Sequence, residues 1–242
     1  MKKHFFFDMD GTLTRSRSEI SHTMIACLRG LIENRGDVVV VSGAVKDQII
    51  KQVGEIANEI IILAQNGNHA EFSSGEIIWH NELTDLQKKV VFDLAQKMIS
   101  QLELSVRSPD DLVEDRVCQI SYSLIGHNAP LEEKEAADPD RIVRKDLLSR
   151  FESEVSQLND LGIQARIGGT TCIDFTSLNK GDNVKCFVER MGWSPDECVY
   201  VGDALFEGGN DNSVVGIIPT CSIDSPKECE EAIRLFIDEL TA

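Results

Sequence analysis

HFFFDMDGT occupies residues 4–12 and VVVVSG residues 38–43. Each is a short apolar run that stops abruptly at small or acidic residues. Four consecutive valines at 38–41 cannot alternate between a core and water, so they mark a strand buried on both faces of a parallel sheet. His4–Phe7 reads the same way, and Asp8-Met9-Asp10-Gly11-Thr12 is the polar loop that leaves it. Between them, residues 21–35 place Met24, Ile25, Leu28, Leu31 and Ile32 on one helical face, with Gly36 as the stop. Residues 45–53 predict a second helix, and 60–63 a third buried strand ending at Gln65-Asn66-Gly67-Asn68. Strand, helix, strand, helix, strand is the α/β pattern with right-handed crossovers.

The pattern breaks in the middle of the chain. Thr84-Asp85-Leu86-Gln87 is a capping box that opens a helix carrying Leu86, Val90, Leu94, Met98 and Leu102. Residues 117–125 alternate partly, as a half-exposed strand does. Residues 138–158 read as one amphipathic helix, and 163–167 and 171–175 as strands around Gly168-Gly169. After Lys180 the first pattern returns: a helix at 183–190, a strand at 198–201, a strand at 214–218. A last helix is opened by Ser225-Pro226-Lys227-Glu228, a capping box with Pro at the first helical position. The expected organisation is a doubly wound, parallel-sheet α/β core of residues 1–81 and 179–242, interrupted by an inserted α+β cap of residues 82–178.

The composition narrows the function. Lys plus Arg is 24 and Asp plus Glu is 41, a net charge of −17. That argues against a nucleic-acid partner or an anionic membrane surface, either of which needs a basic face. No apolar run approaches the ~18 residues of a membrane span. The opening MKKHFFFDMDGT turns acidic too soon for a secretory signal. Seven cysteines without a Cys-x-x-Cys pair suit reduced thiols, so the expected location is the cytoplasm.

Four polar clusters follow predicted strands or precede helices, where an open parallel sheet gathers its ligands along one edge. Asp8 and Asp10 leave the first strand two residues apart; one can be a nucleophile or hard-metal ligand, the other a proton shuttle. Ser42-Gly43 can hold a phosphate oxygen, although alone it reads more readily as a helix N-cap. Lys180, in Asn179-Lys180-Gly181, can neutralise a phosphate. Asp203, followed by Glu207-Gly208-Gly209-Asn210-Asp211, makes an acidic loop suited to Mg²⁺. Taken singly, each cluster also fits a turn or a solvated surface. Their joint order is what points to chemistry.

In that order FFFDMDGTLT, VVVVSG, NKGDN and VYVGDALFEGGND resemble the four motifs of the haloacid-dehalogenase-like phosphotransferase superfamily. The insert resembles its large α+β cap, and the fold implied is a Rossmann-like core with that cap. Over nearly the whole chain, AQNG, EDRVCQISYSLIGHN, IGGTTCIDF and GDALFEGGND resemble successive blocks of the eukaryotic-type phosphomannomutases. The resemblance implies Asp8 as phosphorylated nucleophile and Mg²⁺ ligand. It implies Asp10 as acid/base and, through its carbonyl, a metal ligand. Asp203 would complete the ligands with support from Asn210 and Asp211, and Ser42 and Lys180 would hold the moving phosphoryl group. It also points to a cap-mediated homodimer.

The same alignment implies substrate-binding positions at Arg17, Gly43, Arg116, His127, Lys134 and Asp174, with Cys172 beside them. Here the chain departs from the family, which has arginines at the positions of His127 and Lys134 and serine at Cys172. Arginine grips phosphate with a planar, always-charged fork; lysine is a point charge and histidine is largely neutral at pH 7. A weak second-phosphate grip favours losing the phosphoryl group to water. The expectation is a Mg²⁺-dependent phosphohydrolase acting on a small phosphorylated metabolite, a sugar phosphate, through an aspartyl-phosphate. The alternatives are a phosphomannomutase interconverting hexose 1- and 6-phosphates and, more distantly, a non-catalytic metal- or phosphate-binding protein.

Overall fold

The computed structural model describes residues 1–16, 18–102 and 108–242. Two compact units emerge. One comprises Met1–His80 and Asn179–Ala242, the other Asn81–Leu178.

The first unit is built on a seven-stranded sheet. Its strands are β1 (His4–Phe7), β2 (Asp37–Val41), β3 (Ile61–Ala64), β4 (His69–Glu71), β5 (Ile77–His80), β10 (Cys198–Gly202) and β11 (Thr220–Ser222). They lie in the order β11-β10-β1-β2-β3-β4-β5. The five strands from β11 to β3 pair in parallel, while β3-β4 and β4-β5 are antiparallel. Helices cover both faces, and strand parity shows how. Phe5, Phe7, Val38, Val40, Val199 and Val201 face a core shared with α1 (His22–Glu33), α2 (Lys46–Val53) and α8 (Pro226–Thr241). Phe6, Val39, Val41, Leu63 and Tyr200 face the opposite core with α7 (Lys180–Met191). This is the doubly wound arrangement. β2 follows β1 on one side and β10 lies on the other, so the order of strand addition reverses between β1 and β10 while the strands stay parallel. Ligands bind at that switch point in such sheets.

The second unit carries a four-stranded antiparallel sheet in the order β6-β7-β9-β8: β6 (Val113–Asp115), β7 (Gln119–Ser123), β8 (Gln164–Gly168) and β9 (Cys172–Thr176). Ile120, Tyr122, Ile173 and Phe175 alternate onto one face. There they share a core with Leu94 and Met98 of α3 (Asp85–Ile99), Leu147 of α5 (Ile142–Arg150) and Leu158 of α6 (Glu152–Asp160). α4 (Leu131–Ala137) precedes α5.

Several local expectations need correction. The buried stripe of α3 is Val91, Leu94, Ala95 and Met98, and Leu86 is 61% exposed. A strict every-fourth-residue stripe drifts off the face of a 3.6-residue helix. Residues 138–158 form two helices, broken at Phe151. Asp138 stays outside them, its carboxylate accepting from the backbone N–H groups of Val143 and Arg144. Residues 214–218 are not a strand. They coil in tight turns (Val215 N–H to Asn212, Ile217 N–H to Val214), and the edge strand is β11. At α8 the Ser225 hydroxyl caps Glu228, but the Glu228 carboxylate accepts from Asp224 rather than closing the box on Ser225. The hairpin β4–β5, the strand β6 and helix α4 were not anticipated. No helix among the described residues is long and apolar enough to cross a membrane.

Candidate active site

Asp8 follows β1 and Asp203 follows β10, so the switch point places two carboxylates side by side. Asp211 returns on the loop after β10. One ligand oxygen from each of the three lies within 4.8 Å of the others. Gly11 makes this possible. Its φ is +95°, and a Cβ there would sit 2.6 Å from the Asp203 carboxylate. The Asp203 N–H donates to Thr12 Oγ1 at 3.2 Å, tying the β1 and β10 loops together.

Lys180 enters from α7. The helix begins three residues earlier than expected because Asn179 and Asp182 cap it reciprocally, with Asp182 in the place usually held by Glu or Gln. Lys180 is therefore in the first turn rather than in a loop. Its Nζ donates to Asp8 Oδ1 at 2.6 Å and to Asp211 Oδ1 at 2.7 Å, and it is 2% exposed. Bare backbone allows the approach: a Cβ on Gly181 would lie 1.9 Å from the Ser213 carbonyl oxygen. Asp211 is fully buried. It also accepts from Tyr200 Oη at 2.8 Å and from Ala204 N–H at 3.4 Å. All three carboxylates belong to the group that could hold a hard cation, with Asp8 and Asp203 carrying fewer competing hydrogen bonds than Asp211.

The electrostatics reflect this crowding. Burial pushes the Asp8 carboxyl well above the usual carboxylate range; Lys180 pulls against it and Asp211 adds to it. Burial, then Asp211, raises Asp203. Burial disfavours the charge on Lys180, but Asp211 and Asp8 outweigh it and hold the ammonium above its ordinary value. Burial, reinforced by Asp211 and Asp8, keeps the Tyr200 phenol well above its ordinary value, so it remains a donor. Crowded carboxylates with raised affinity for protons are a donor set that a small divalent cation relieves, and oxygen-only ligation fits Mg²⁺.

Asp10 is half-buried, and its carboxylate is not one of the three close donors. Its Oδ1 accepts from Gln52 Nε2 at 3.3 Å. Gln52 lies on α2, 4% exposed, and the same amide reaches Thr14 Oγ1 and the Ser18 carbonyl. Nothing in the helical pattern marked Gln52 for this task; a buried Gln on the core face was the available signal. Gln52→Leu keeps the volume but removes this hydrogen bond to Asp10. The expected outcome is a roughly 10–100-fold loss of kcat with KM little changed, checked by steady-state kinetics, since small misplacements of a reacting group carry costs of this size.

Ser42 and Gly43 leave β2. Ser42 is buried and its Oγ accepts from Ala44 N–H, the N-cap-like contact; the Asn66 N–H donates to its carbonyl. Asn210 is exposed beside Asp211. Arg17 lies outside the described residues. The positions on the second unit do gather. Arg116 donates from Nε and Nη2 to Glu114 Oε2 at 2.9 and 2.7 Å, and from Nη2 to His127 Nδ1 at 3.4 Å. His127 is fully buried, donating from Nε2 to the Ser121 carbonyl at 3.1 Å, and burial lowers its proton affinity. Lys134 is 8% exposed, with Nζ on the His127 carbonyl oxygen. Asp174 accepts from Ser121 Oγ at 2.6 Å, and Cys172 Sγ lies 3.9 Å from His127 Nδ1.

Residues 5–213 match the family described as haloacid dehalogenase-like hydrolase. The chain belongs to that family. Among curated relatives, it is 28% identical over 251 residues to the phosphomannomutase of Triticum aestivum, covering 96% of this chain and 95% of the relative. Among solved structures, it is similar to the IMP-bound Plasmodium falciparum IMP-nucleotidase with a TM-score of 0.72 at 12% identity, covering 97% of this chain and 68% of that one. A haloacid dehalogenase-like hydrolase from Bacteroides thetaiotaomicron superposes with a TM-score of 0.64 at 18% identity, covering 98% and 100%. These structural likenesses speak to fold. With the family match and the phosphomannomutase relatives, this hydrolase is an enzyme of the phosphatase or phosphotransferase type.

Proposed function

We propose that this hydrolase is a Mg²⁺-dependent phosphomonoesterase acting on a small sugar phosphate through an aspartyl-phosphate on Asp8. Asp8 and Asp203, with the Asp10 carbonyl, would hold Mg²⁺, which when bound offsets the charge of the phosphoryl oxygens and of the attacking carboxylate. The Asp8 carboxylate attacks phosphorus, and the P–O bond to the sugar breaks. Asp10, steadied by Gln52, gives its proton to the departing sugar oxygen. It then takes one from the water that attacks phosphorus and frees Asp8. Lys180 neutralises the transferring oxygens, held in place by Asp211; Ser42 and Gly43 hold a further oxygen. The inserted unit, residues 82–178, selects the substrate.

The observation that carries hydrolysis over isomerisation is the state of the second-phosphate positions. A mutase must keep a sugar bisphosphate while it turns over. In this chain His127 is buried and its neutral ring is engaged with a backbone carbonyl. The Lys134 ammonium is engaged with another carbonyl, and Arg116 is tied to Glu114. Breaking such buried contacts to grip a second phosphate costs more than a ready, exposed arginine would.

A paired assay tests the reading. Purified enzyme with Mg²⁺ and mannose-1-phosphate is followed for phosphate release and for mannose-6-phosphate, with and without glucose-1,6-bisphosphate. The expected result is phosphate release with no isomer. Isomer formation stimulated by the bisphosphate would make the enzyme a mutase.

The raised carboxyls also set a pH dependence. A proton competes with the cation at Asp8 and Asp203 above the ordinary carboxylate range, so the Mg²⁺ Kd should rise as pH falls, before ordinary carboxylates titrate. Calorimetric titration across pH reads this directly. A Kd that stays flat down to about pH 4 would contradict it.

A further inference from the structure

We propose that His69 and His80 form a two-histidine site for a borderline transition-metal cation such as Zn²⁺, on the β4–β5 hairpin. The two residues are directly opposed in the antiparallel register. Their Nδ1 atoms are 2.6 Å apart and their rings are perpendicular, with centroids 4.8 Å apart. The tautomers follow from one neighbour. His69 Nε2 lies 3.2 Å from Glu71 Oε2, a group that only accepts when ionised, so Nε2 carries the proton. The lone pair of His69 is then on Nδ1, facing His80, and the proton between the two rings belongs to His80 Nδ1.

This is the arrangement in which a carboxylate orients a metal-ligating imidazole from behind, fixing its tautomer and raising its basicity. Glu71 is itself fixed, 6% exposed and paired with Lys46 at 2.7 Å. The Lys46 and Glu71 charges cancel, so the hairpin does not repel a cation. His69 is 7% exposed and supplies the buried ligand; His80 is exposed and supplies the outer one. Two nitrogens bound to tetrahedral Zn²⁺ at about 2.0–2.1 Å stand roughly 3.3 Å apart. A small rotation of His80 opens the pair to that spacing. Its proton then shifts from Nδ1 to Nε2, so a neutral ring binds without net proton loss. Water completes the coordination. Imidazole nitrogens select against Mg²⁺, so the site does not compete for the ion of the carboxylate cluster.

The test is calorimetric titration of the full chain with Zn²⁺ in excess Mg²⁺, alongside long-range ¹H–¹⁵N NMR of the histidine rings. The expected result is one Zn²⁺ bound, with the Nδ1 resonances of His69 and His80 shifted. His80→Ala, at an exposed position that leaves the fold intact, should weaken binding at least tenfold. Glu71→Gln should weaken it about 10–100-fold while keeping Nδ1 coordination. Equal affinity in His80→Ala would overturn the proposal, as would no Zn²⁺ uptake with unshifted ring resonances.

Discussion

Asp8→Asn should abolish phosphate release, by roughly 10⁴-fold or more, because a neutral amide can neither attack phosphorus nor hold the cation. The same substitution should leave the fold standing. Asn is isosteric, and Lys180 keeps its bond to Asp211 at 2.7 Å. The sign of the stability change follows from linkage. The folded chain binds a proton at Asp8 more readily than the unfolded chain does, since burial raises that carboxyl. An acid of this kind adds stability as pH falls and opposes folding once ionised, so at pH 7 the ion-free wild type carries a cost. The ion-free variant should therefore melt at or above the wild-type temperature, by calorimetry in chelator. A variant that is inactive and also melts well below wild type would mean the Lys180 pair is net stabilising, with Asp8 a structural ion-pair partner.

The largest stability effect is expected in the second unit. Arg144 is 1% exposed, on α5. It donates from Nε to Asp138 Oδ2 at 2.7 Å and from Nη1 to the carbonyl oxygens of Gly168, Gly169 and Cys172 at 2.9, 3.1 and 3.3 Å. It thus closes the β8–β9 turn over the start of the helix. Arg144→Leu leaves Asp138 as a buried carboxylate without its cation and strips three carbonyls of a donor. The expected cost is about 3–5 kcal/mol, read by denaturant unfolding. Adding Asp138→Asn, which keeps an acceptor for the Val143 N–H, should restore part of that loss. A single variant within about 1 kcal/mol of wild type would show that the network contributes little.

The core of the fold was legible where one residue decides one contact. The valines at 38–41 and phenylalanines at 5–7 have nowhere to go but between two helix layers, and strand parity sends alternate side chains to each. Three of the four polar clusters, those of Asp8, Lys180 and Asp203–Asp211, do come together, because strand ends share an edge. What stayed hidden depends on partners distant in sequence. Nothing near Gln52 says that it will face Asp10 across 42 residues. Nothing near Arg144 says that a charged helix residue will be buried on a turn 24 residues on. Short elements escaped as well. β4 and β6 have three residues each, too few for a period to register. Residues 214–218 look like a strand by composition, but their backbone bonds close on themselves in turns. At the candidate site, the sequence marked Asp211 beside Asp203 in the acidic loop, but not its bonds to Lys180, Tyr200 and Ala204, which come from a residue distant in sequence, from a buried strand and from the loop after it.

The most direct test of the account is to trap the covalent intermediate. The enzyme is mixed with Mg²⁺ and a turned-over sugar phosphate, quenched in acid during the first turnover, reduced with borohydride and mapped by mass spectrometry. An aspartyl-phosphate is an acyl phosphate, which borohydride reduces to an alcohol, so the account predicts homoserine at position 8 and at no other aspartate. Turnover without modification at position 8, or with modification at Asp10 or Asp203 instead, would contradict it.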